Sequence, residues 1–432
     1  MRGGQTNVRN KIINDPVHGF ITIQDDVLLQ LLDHPWLQRL RRIRQLGMTN
    51  LVYPGAQHTR LQHAIGAMHL MQMALETLQQ KGVFVLPSEQ QAAMAAMMLH
   101  DAGHGPFSHA LEKLIVDADH EDISRLVMQK LNEQMNGALS ACIDMFNGKC
   151  RPFLHQLISS QLDTDRLDYL RRDSFFTGVV EGAVGAERLI KMLDVTPNEH
   201  LAVEAKGIFS IEDFLVARRL MYWQVYLHKT VVAAEKMLRL AINRARELTQ
   251  QGQMPSTAPT LAYFLKNKVD LAELTQNPEA FGRFMDLDDD DVTTSLKEWQ
   301  HSPDVLLSLV AHGIVNRRLF RIELSREPFD PEIIEAKRLQ VTELLNIPPQ
   351  QAEQMVITGQ ISSKTYTIGV DRINIISTHK EVGRGVAGGT NVQIRVRDIS
   401  EASDMMRLET LGNTDRRHYL CYPRLDPSAK RT

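Results

Sequence analysis

The chain has 432 residues, 43% of them hydrophobic, which is enough for two or three packed domains and excludes a globally disordered polypeptide. Its formal net charge is -3, with 49 Lys and Arg against 52 Asp and Glu. That balance argues against coating nucleic acid by bulk charge, but it leaves room for a local phosphate pocket. Cys142, Cys150 and Cys421 form no disulfide framework or zinc ribbon, and the opening MRGGQTNVRNKIIND lacks the apolar core of a signal peptide. No apolar run approaches the roughly 20 residues that span a bilayer, so a soluble, cytoplasmic protein is expected.

From residue 1 to about 325 the chain reads as mostly helical. A short segment, FITIQ at 20–24, has the pattern of a strand in a small hairpin. Apolar residues then recur at spacings of three and four: Leu61, Ile65 and Met68; Met94, Met97 and Met98; Leu162, Leu167 and Leu170. Turn signals at Asp15-Pro16, Tyr53-Pro54-Gly55, Leu86-Pro87-Ser88 and Gly105-Pro106 separate these runs. QGQMPSTAPT at 251–260 reads as a surface loop before a further helix. The acidic run Asp286, Asp288, Asp289, Asp290 and Asp291 reads as helix capping rather than a calcium loop, because EF-hand spacing is absent. From 326 to 432 the pattern becomes a small α+β region. It has a helix near 331–345 and strand-like YTIGVDRINIIS and NVQIRVRD around GRGVAGG, which fits a hairpin loop better than a phosphate loop.

Sixteen histidines are present, and His100, His104, His109 and His120 fall in one short stretch. His100 and Asp101 close the helical run AAMAAMML, and Gly103, Gly105 and Pro106 follow at once. Neighbours on a helix diverge by about 100°, so two adjacent ligands reach one metal most easily where the helix ends. His63 and Asp165 are candidates to complete the set. Arg60 lies one turn before His63, a cation suited to a phosphate beside a metal. Tyr169 and Asp173 share a face with Asp165. Taken singly, His63 also reads as a core histidine, and Asp165 as a partner of Arg166 or Arg172 on a solvated face. Arg218, Tyr222, Tyr226 and Lys229 are spaced close to one helical face, which suits a phosphate tail with a sugar or base, or an amphipathic surface helix.

The words NDPVHGFI, LQRLRRIRQLG, YPGAQHTRLQHAIG, HDAGHGPFSHALE, LDTDRLDYLRRDS and ARRLMYWQVYLHK occur in order between residues 11 and 230. With the order H, HD, D they resemble the HD phosphohydrolase superfamily, in its branch of deoxynucleoside triphosphate triphosphohydrolases. That branch includes the vertebrate SAM-and-HD-domain enzyme and bacterial relatives; no SAM domain precedes the motifs here. The resemblance implies a mostly α fold, with an HD-domain helical core and the small C-terminal α+β region appended. It implies a divalent metal (Mn, Mg, Fe, Zn or Ni) on His63, His100, Asp101 and Asp165.

By the same resemblance His104, His109, Glu112 and His120 fall on catalytic positions, with Glu112 where the vertebrate enzyme has Asp. Arg60 and Arg166 fall on phosphate-contacting positions, while Gln45, Leu46, Tyr169, Asp173 and Tyr226 fall on sugar-lining ones. Tyr222 stands where the family usually has His. The implied reaction is hydrolysis of a dNTP to a deoxynucleoside and inorganic triphosphate, with Lys229 joining Arg60 and Arg166 on the triphosphate. Lys11, Asp33, Gln38 and Arg41 match positions that read a guanine in activated members, which bind GTP or dGTP at a subunit interface. Arg188 and Lys206 resemble regulatory phosphate contacts, although Glu204 stands where a cation is expected. A homo-oligomer, dimer or tetramer, is implied, and nucleic acid is not an expected partner. Competing readings are an HD phosphatase or phosphodiesterase for another nucleotide, and a nucleotide-binding sensor.

Overall fold

A computed structural model describes residues 10–363, 366–367, 371–382, 390–403 and 414–424. The chain is mostly helical. Its centre is the 21-residue helix Arg60–Gln80, buried on nearly every face. Thr59 caps its start reciprocally with Gln62. Leu61, Ala64, Met68, Leu70, Met71, Ala74 and Leu75 are fully or almost fully buried around it, the pattern of a helix enclosed by others. Helices Pro87–Leu99 and Thr164–Thr177 pack on it.

The contact with Thr164–Thr177 is close enough to dictate a glycine. A Cβ at Gly66 would lie 2.1 Å from Asp168 Oδ1 and 2.2 Å from Arg172 Nη2. Both belong to a buried ion pair, so neither can withdraw without losing its partner.

The expected hairpin is present: Lys11–Asp15 pairs antiparallel with Gly19–Ile23. Asp15 accepts from the amides of Val17 and His18, both at 2.9 Å, to fix the turn. The expected loop before residue 259 leads into helix Pro259–Lys266. Asp288 caps helix Asp289–Trp299, as the acidic run suggested. The helix Pro331–Leu345 is where the sequence pattern placed it.

Two sheets cross the boundary drawn at residue 325. Arg321–Ser325 pairs with Asp415–Tyr422, which in turn pairs with Ile357–Ser363. Asn374–Val382 runs parallel to Leu201–Glu204, which is antiparallel to Leu193–Val195. The C-terminal region therefore shares backbone hydrogen bonds with the helical body. Strands Asn374–Val382 and Thr390–Asp398 pair antiparallel as a hairpin requires. The segment GRGVAGG itself lies outside the described residues. No helix among the described residues is long and apolar enough to cross a membrane.

Gly66→Ala should destabilise the protein by roughly 3 kcal/mol, the upper range for overpacking a rigid contact. Urea denaturation of both proteins gives this difference directly; equal midpoints would show that the Asp168–Arg172 pair yields easily.

Candidate active site

Helix Pro87–Leu99 ends where the sequence said it must, and His100 occupies its C-cap. The His100 Nδ1–H donates to Met97 O at 2.7 Å. That bond leaves the Nε2 lone pair free. His63 is arranged the same way: Nδ1 bonds Asp168 Oδ2 at 2.8 Å, and the ring is fully buried. The two Nε2 atoms face each other 3.3 Å apart. Asp165 Oδ1 lies 3.0 Å from His63 Nε2 and 3.5 Å from His100 Nε2. Asp101 adds Oδ1 at 3.4 Å from His100 and Oδ2 at 3.8 Å from His63.

Four potential ligands converging in this way suit a cation. Burial alone would depress the His63 imidazole, yet the hydrogen bonds and charges of Asp165 and Asp168 push it up to about 10. His100 moves in the same direction, with Asp101 and Asp165 outweighing burial. Burial would raise the Asp165 carboxyl, but His100 and His63 hold it well below the usual carboxylate range. A proton on His63 meets part of this, but a second on His100 would set two imidazolium ions face to face. Two nitrogens and two carboxylates, with both outer imidazole nitrogens anchored, suit a divalent ion. The donor set fits the metal that the sequence implies.

The anchors themselves were not read from the sequence. Asp168 accepts from His18 Nε2 at 2.6 Å as well as from His63, and Arg172 donates to it at 2.9 and 3.0 Å. Arg172 also reaches Asp15 of the hairpin at 2.8 Å. All four side chains are almost completely buried. The alternative pairing considered for Asp165 is absent: Arg166 lies 3.5 Å from Asp163, and Arg172 belongs to Asp168 and Asp15. Spacing offered one signal, since Asp168 and Arg172 are four residues apart on a helix.

Arg60 is buried, ion-paired with Asp101, and donates from Nε to Ser108 Oγ at 2.7 Å. Ser108 and Phe107 adopt left-handed backbone, with φ of 52° and 53°. Asp289 braces this strained turn by accepting from Phe107 N at 2.7 Å and Arg44 N at 3.0 Å. One member of the acidic run thus shapes the loop that carries His109, a role that capping alone did not suggest.

Glu112 divides its carboxylate between two imidazoles. Oε2 lies 2.8 Å from His109 Nδ1, and Oε1 lies 2.6 Å from His120 Nδ1. Burial would raise its carboxyl, but these hydrogen bonds hold it well below the ordinary range. His104 stacks on His120 with centroids 3.9 Å apart. Burial, with Arg60 nearby, keeps the His104 ring well below the usual imidazole range. It is therefore neutral at pH 7.

Beside these groups lies one cavity of about 440 Å³. Gln45, Leu46, Arg60, Asp101, His104, His109, His120, Asp165, Arg166, Tyr169, Asp173, Tyr222 and Tyr226 all line it. Gln45 Oε1 and Arg166 Nε are buried there without a hydrogen-bond partner in the protein. Such groups are costly unless a ligand satisfies them.

Two expected members lie elsewhere. Helix Ile208–Met221 continues as a single π-helical turn, Tyr222–Tyr226, and a new helix begins at Lys229. The change of pitch and the break put Lys229 out of phase with Tyr222 and Tyr226. Lys229 lines a second cavity of about 700 Å³ with Arg317, Arg321 and Arg424. Arg218 sits behind the Tyr222 ring, 5.9 Å from its centroid, and does not line the main cavity. The structure instead adds Glu235, which the sequence reading missed. Burial, opposed by Lys236 and Arg239, pushes its carboxyl up to about 7.

The expected regulatory residues form two surface groups. Lys11 pairs with Asp33 at 2.6 Å, and Gln38 accepts from Arg41 Nε at 2.6 Å while donating to Leu32 O. Arg188 donates to Ser210 at 3.1 Å, and Lys206 pairs with Glu204 at 2.6 Å. Glu204 also holds Lys81, so the charge found in place of a cation is neutralised locally.

The HD domain family matches residues 60–173, and the HD associated region matches 184–258. The chain is 32% identical over 322 residues to the YwfO protein of Bacillus subtilis, covering 72% of this chain and 71% of that one. The chain belongs to the HD-domain phosphohydrolase superfamily. A crystal structure described as a phosphohydrolase from Bacteroides thetaiotaomicron superposes with a TM-score of 0.89 at 47% identity, covering 96% of this chain and 100% of that one. A Dictyostelium discoideum protein named deoxynucleoside triphosphate triphosphohydrolase SAMHD1 homolog is 28% identical, over 62% of this chain and 56% of its own length.

Asp165→Ala and His100→Ala should each lose bound metal at least tenfold, as measured by elemental analysis after gel filtration. Retention of full stoichiometry in both would refute the donor set. Glu235→Gln tests the buried carboxyl. In the folded state this group resists ionisation, so its penalty is absent at about pH 4.5 and complete above about pH 7. The variant should therefore melt higher than the parent at pH 8 and alike at pH 4.5; a pH-independent difference would refute the assignment.

Proposed function

We propose that this HD phosphohydrolase hydrolyses deoxynucleoside triphosphates to a deoxynucleoside and inorganic triphosphate. The observation that carries the reading is the continuity of one cavity. Asp101 and Asp165 of the donor set, two guanidinium groups, the imidazoles of His104, His109 and His120, and a wall of Gln45, Tyr169, Tyr222 and Tyr226 all border it. A phosphate ester with a sugar and base needs all four. The named activity of the Dictyostelium relative points the same way.

A divalent ion on His63, His100, Asp101 and Asp165 supplies, when bound, Lewis acidity at the α-phosphoryl oxygens and a water of lowered pKa. Arg60 and Arg166 hold the phosphate oxygens by charge-assisted hydrogen bonds. In the step itself, water oxygen bonds to the α-phosphorus and the bond from phosphorus to the sugar 5′ oxygen breaks. His109 is the acid for that departing oxygen, because Glu112 occupies its Nδ1 and leaves Nε2 for the cavity. Glu112 orients the ring, while His120 shares the same carboxylate and neutral His104 packs against His120. Much of the rate comes from positioning and charge stabilisation.

Activation by a guanine nucleotide is the finer part of the proposal. It is supported by Lys11, Asp33, Gln38 and Arg41 gathering on one surface. Ile12 and Phe20, 62% and 74% exposed on the same hairpin, offer apolar area for a second copy of the chain.

Purified protein with Mn²⁺ or Mg²⁺ and each dNTP or NTP, with and without GTP, tests the reaction by anion-exchange separation of products. Deoxynucleoside with inorganic triphosphate is expected. Monophosphate or free orthophosphate would instead indicate a different HD phosphohydrolase reaction. His109→Ala should lower kcat by about 10²- to 10⁴-fold with metal content unchanged. Loss of metal along with activity would remove His109 from the acid role.

A further inference from the structure

We propose that His58 is a positioning residue for sugar discrimination, acting through Asp173 on Tyr226. The inference rests on the functional reading above and adds to it a residue that touches no substrate. His58 Nε2 lies 2.7 Å from Asp173 Oδ1, and Tyr226 donates its hydroxyl to Asp173 Oδ2 at 2.8 Å. His58 and Asp173 are buried almost completely, while Asp173 and Tyr226 both line the cavity.

The proton can be placed. His58 Nδ1 is buried with no partner, whereas Nε2 faces a carboxylate. The hydrogen therefore belongs on Nε2, where it is donated, and the ring stacks on Phe176 with centroids 4.6 Å apart and planes 16° apart. With one oxygen bound to His58 and the other to Tyr226, the Asp173 carboxylate cannot rotate without breaking a bond. Each oxygen keeps a second lone pair available to a sugar hydroxyl.

Tyr226 needs this restraint. It closes the single π-helical turn Tyr222–Tyr226, where the regular α-helical backbone ladder is interrupted. The loop that carries His58 supplies a second tether, because the Tyr53 hydroxyl donates to Gln224 O at 2.7 Å. The loop also seats flush against the end of helix Thr164–Thr177. A Cβ at Gly55 would lie 2.5 Å from Phe176 O, so glycine is required there. One short loop thus holds the π turn by its backbone and the Tyr226 ring through Asp173. A ring held firmly beside the sugar excludes a ribose 2′-hydroxyl by sterics, and a loosely held ring does not.

The test is the ratio of kcat/KM for a dNTP to that for the matching NTP. His58→Phe keeps a ring against Phe176 and removes the donor; Tyr226→Phe removes the hydroxyl alone. Each should reduce the ratio by roughly 10- to 100-fold, the effect of losing a hydrogen bond to a charged group. The double variant should be no worse than the stronger single one, since both act through Asp173. Metal content should not change, and KM for the dNTP should rise more than kcat falls. A folded, metal-loaded His58→Phe with the parent's selectivity overturns the proposal, and so do additive losses in the double variant. If His58→Phe does not fold, His58→Asn serves, with the same loss expected and the same retention overturning. A parent without sugar preference would refute the functional reading itself before any variant is made, so the two failures are distinguishable.

Discussion

Two imidazole lone pairs and two carboxylates cannot be held face to face in a protein interior without positive charge between them. Much of the molecule around His63 and His100 serves to impose that arrangement. Met97 O and Asp168 take the outer nitrogens and thereby fix which atoms point inward. Asp168 is in turn fixed by His18 and Arg172, and Arg172 by Asp15. The chain of constraint runs from the central helix to a hairpin near the start of the described chain. Gly66 lets the helices approach closely enough for it to close. The folding problem and the metal problem are here the same problem, because a site that is unfavourable without its ion depends on the surrounding packing to persist.

The part of the inner site that uses local rules was legible in the sequence. An HD pair at a helix end and an arginine one turn before a histidine are patterns of spacing, whereas His63 and Asp165, each of which also reads as a structural residue, joined the set through the resemblance. What surrounds the set was not legible, because it is made by residues far apart in the chain. Asp15 and His18 stand about 150 positions from Arg172 and Asp168, with separations of 157 and 150 residues. No periodicity announces such a pairing. His58 escaped for the same reason, being 115 residues from Asp173.

Lys229 shows a different limit. A constant helical period placed it beside Tyr226, but the π turn and the break before the next helix changed the phase. Aromatic and cationic residues at helical spacing are compatible with either path. The outcome depended on tertiary tethers such as Tyr53 on Gln224. The C-terminal region illustrates the same point in β structure. Strands Asn374–Val382 and Thr390–Asp398 were visible in the sequence pattern, while Ile357–Ser363 and Asp415–Tyr422 were not, and the partners Arg321–Ser325 and Leu201–Glu204 lie far away in sequence.

The charge lining the main cavity binds these features together. Asp101, Asp165, Asp173 and Glu235 contribute four carboxyl groups, while Arg60 and Arg166 contribute two guanidinium groups. Arg60 is already engaged by Asp101, and Arg166 lies close to Asp163. A triphosphate entering such a cavity would meet a lining that repels it if every carboxyl were charged and the donor set lacked its ion. Three conditions reverse the sign: a divalent ion cancels Asp101 and Asp165, burial keeps Glu235 largely protonated below about pH 7, and the hydrogen bonds from His58 and Tyr226 spread the charge of Asp173. Each condition depends on a different part of the fold, namely the central helix, the helix that begins at Lys229 and the loop before Thr59. On the proposed function a polyanion would be admitted only when all three are met, which would make affinity for phosphate a property of the assembled molecule rather than of its few arginines.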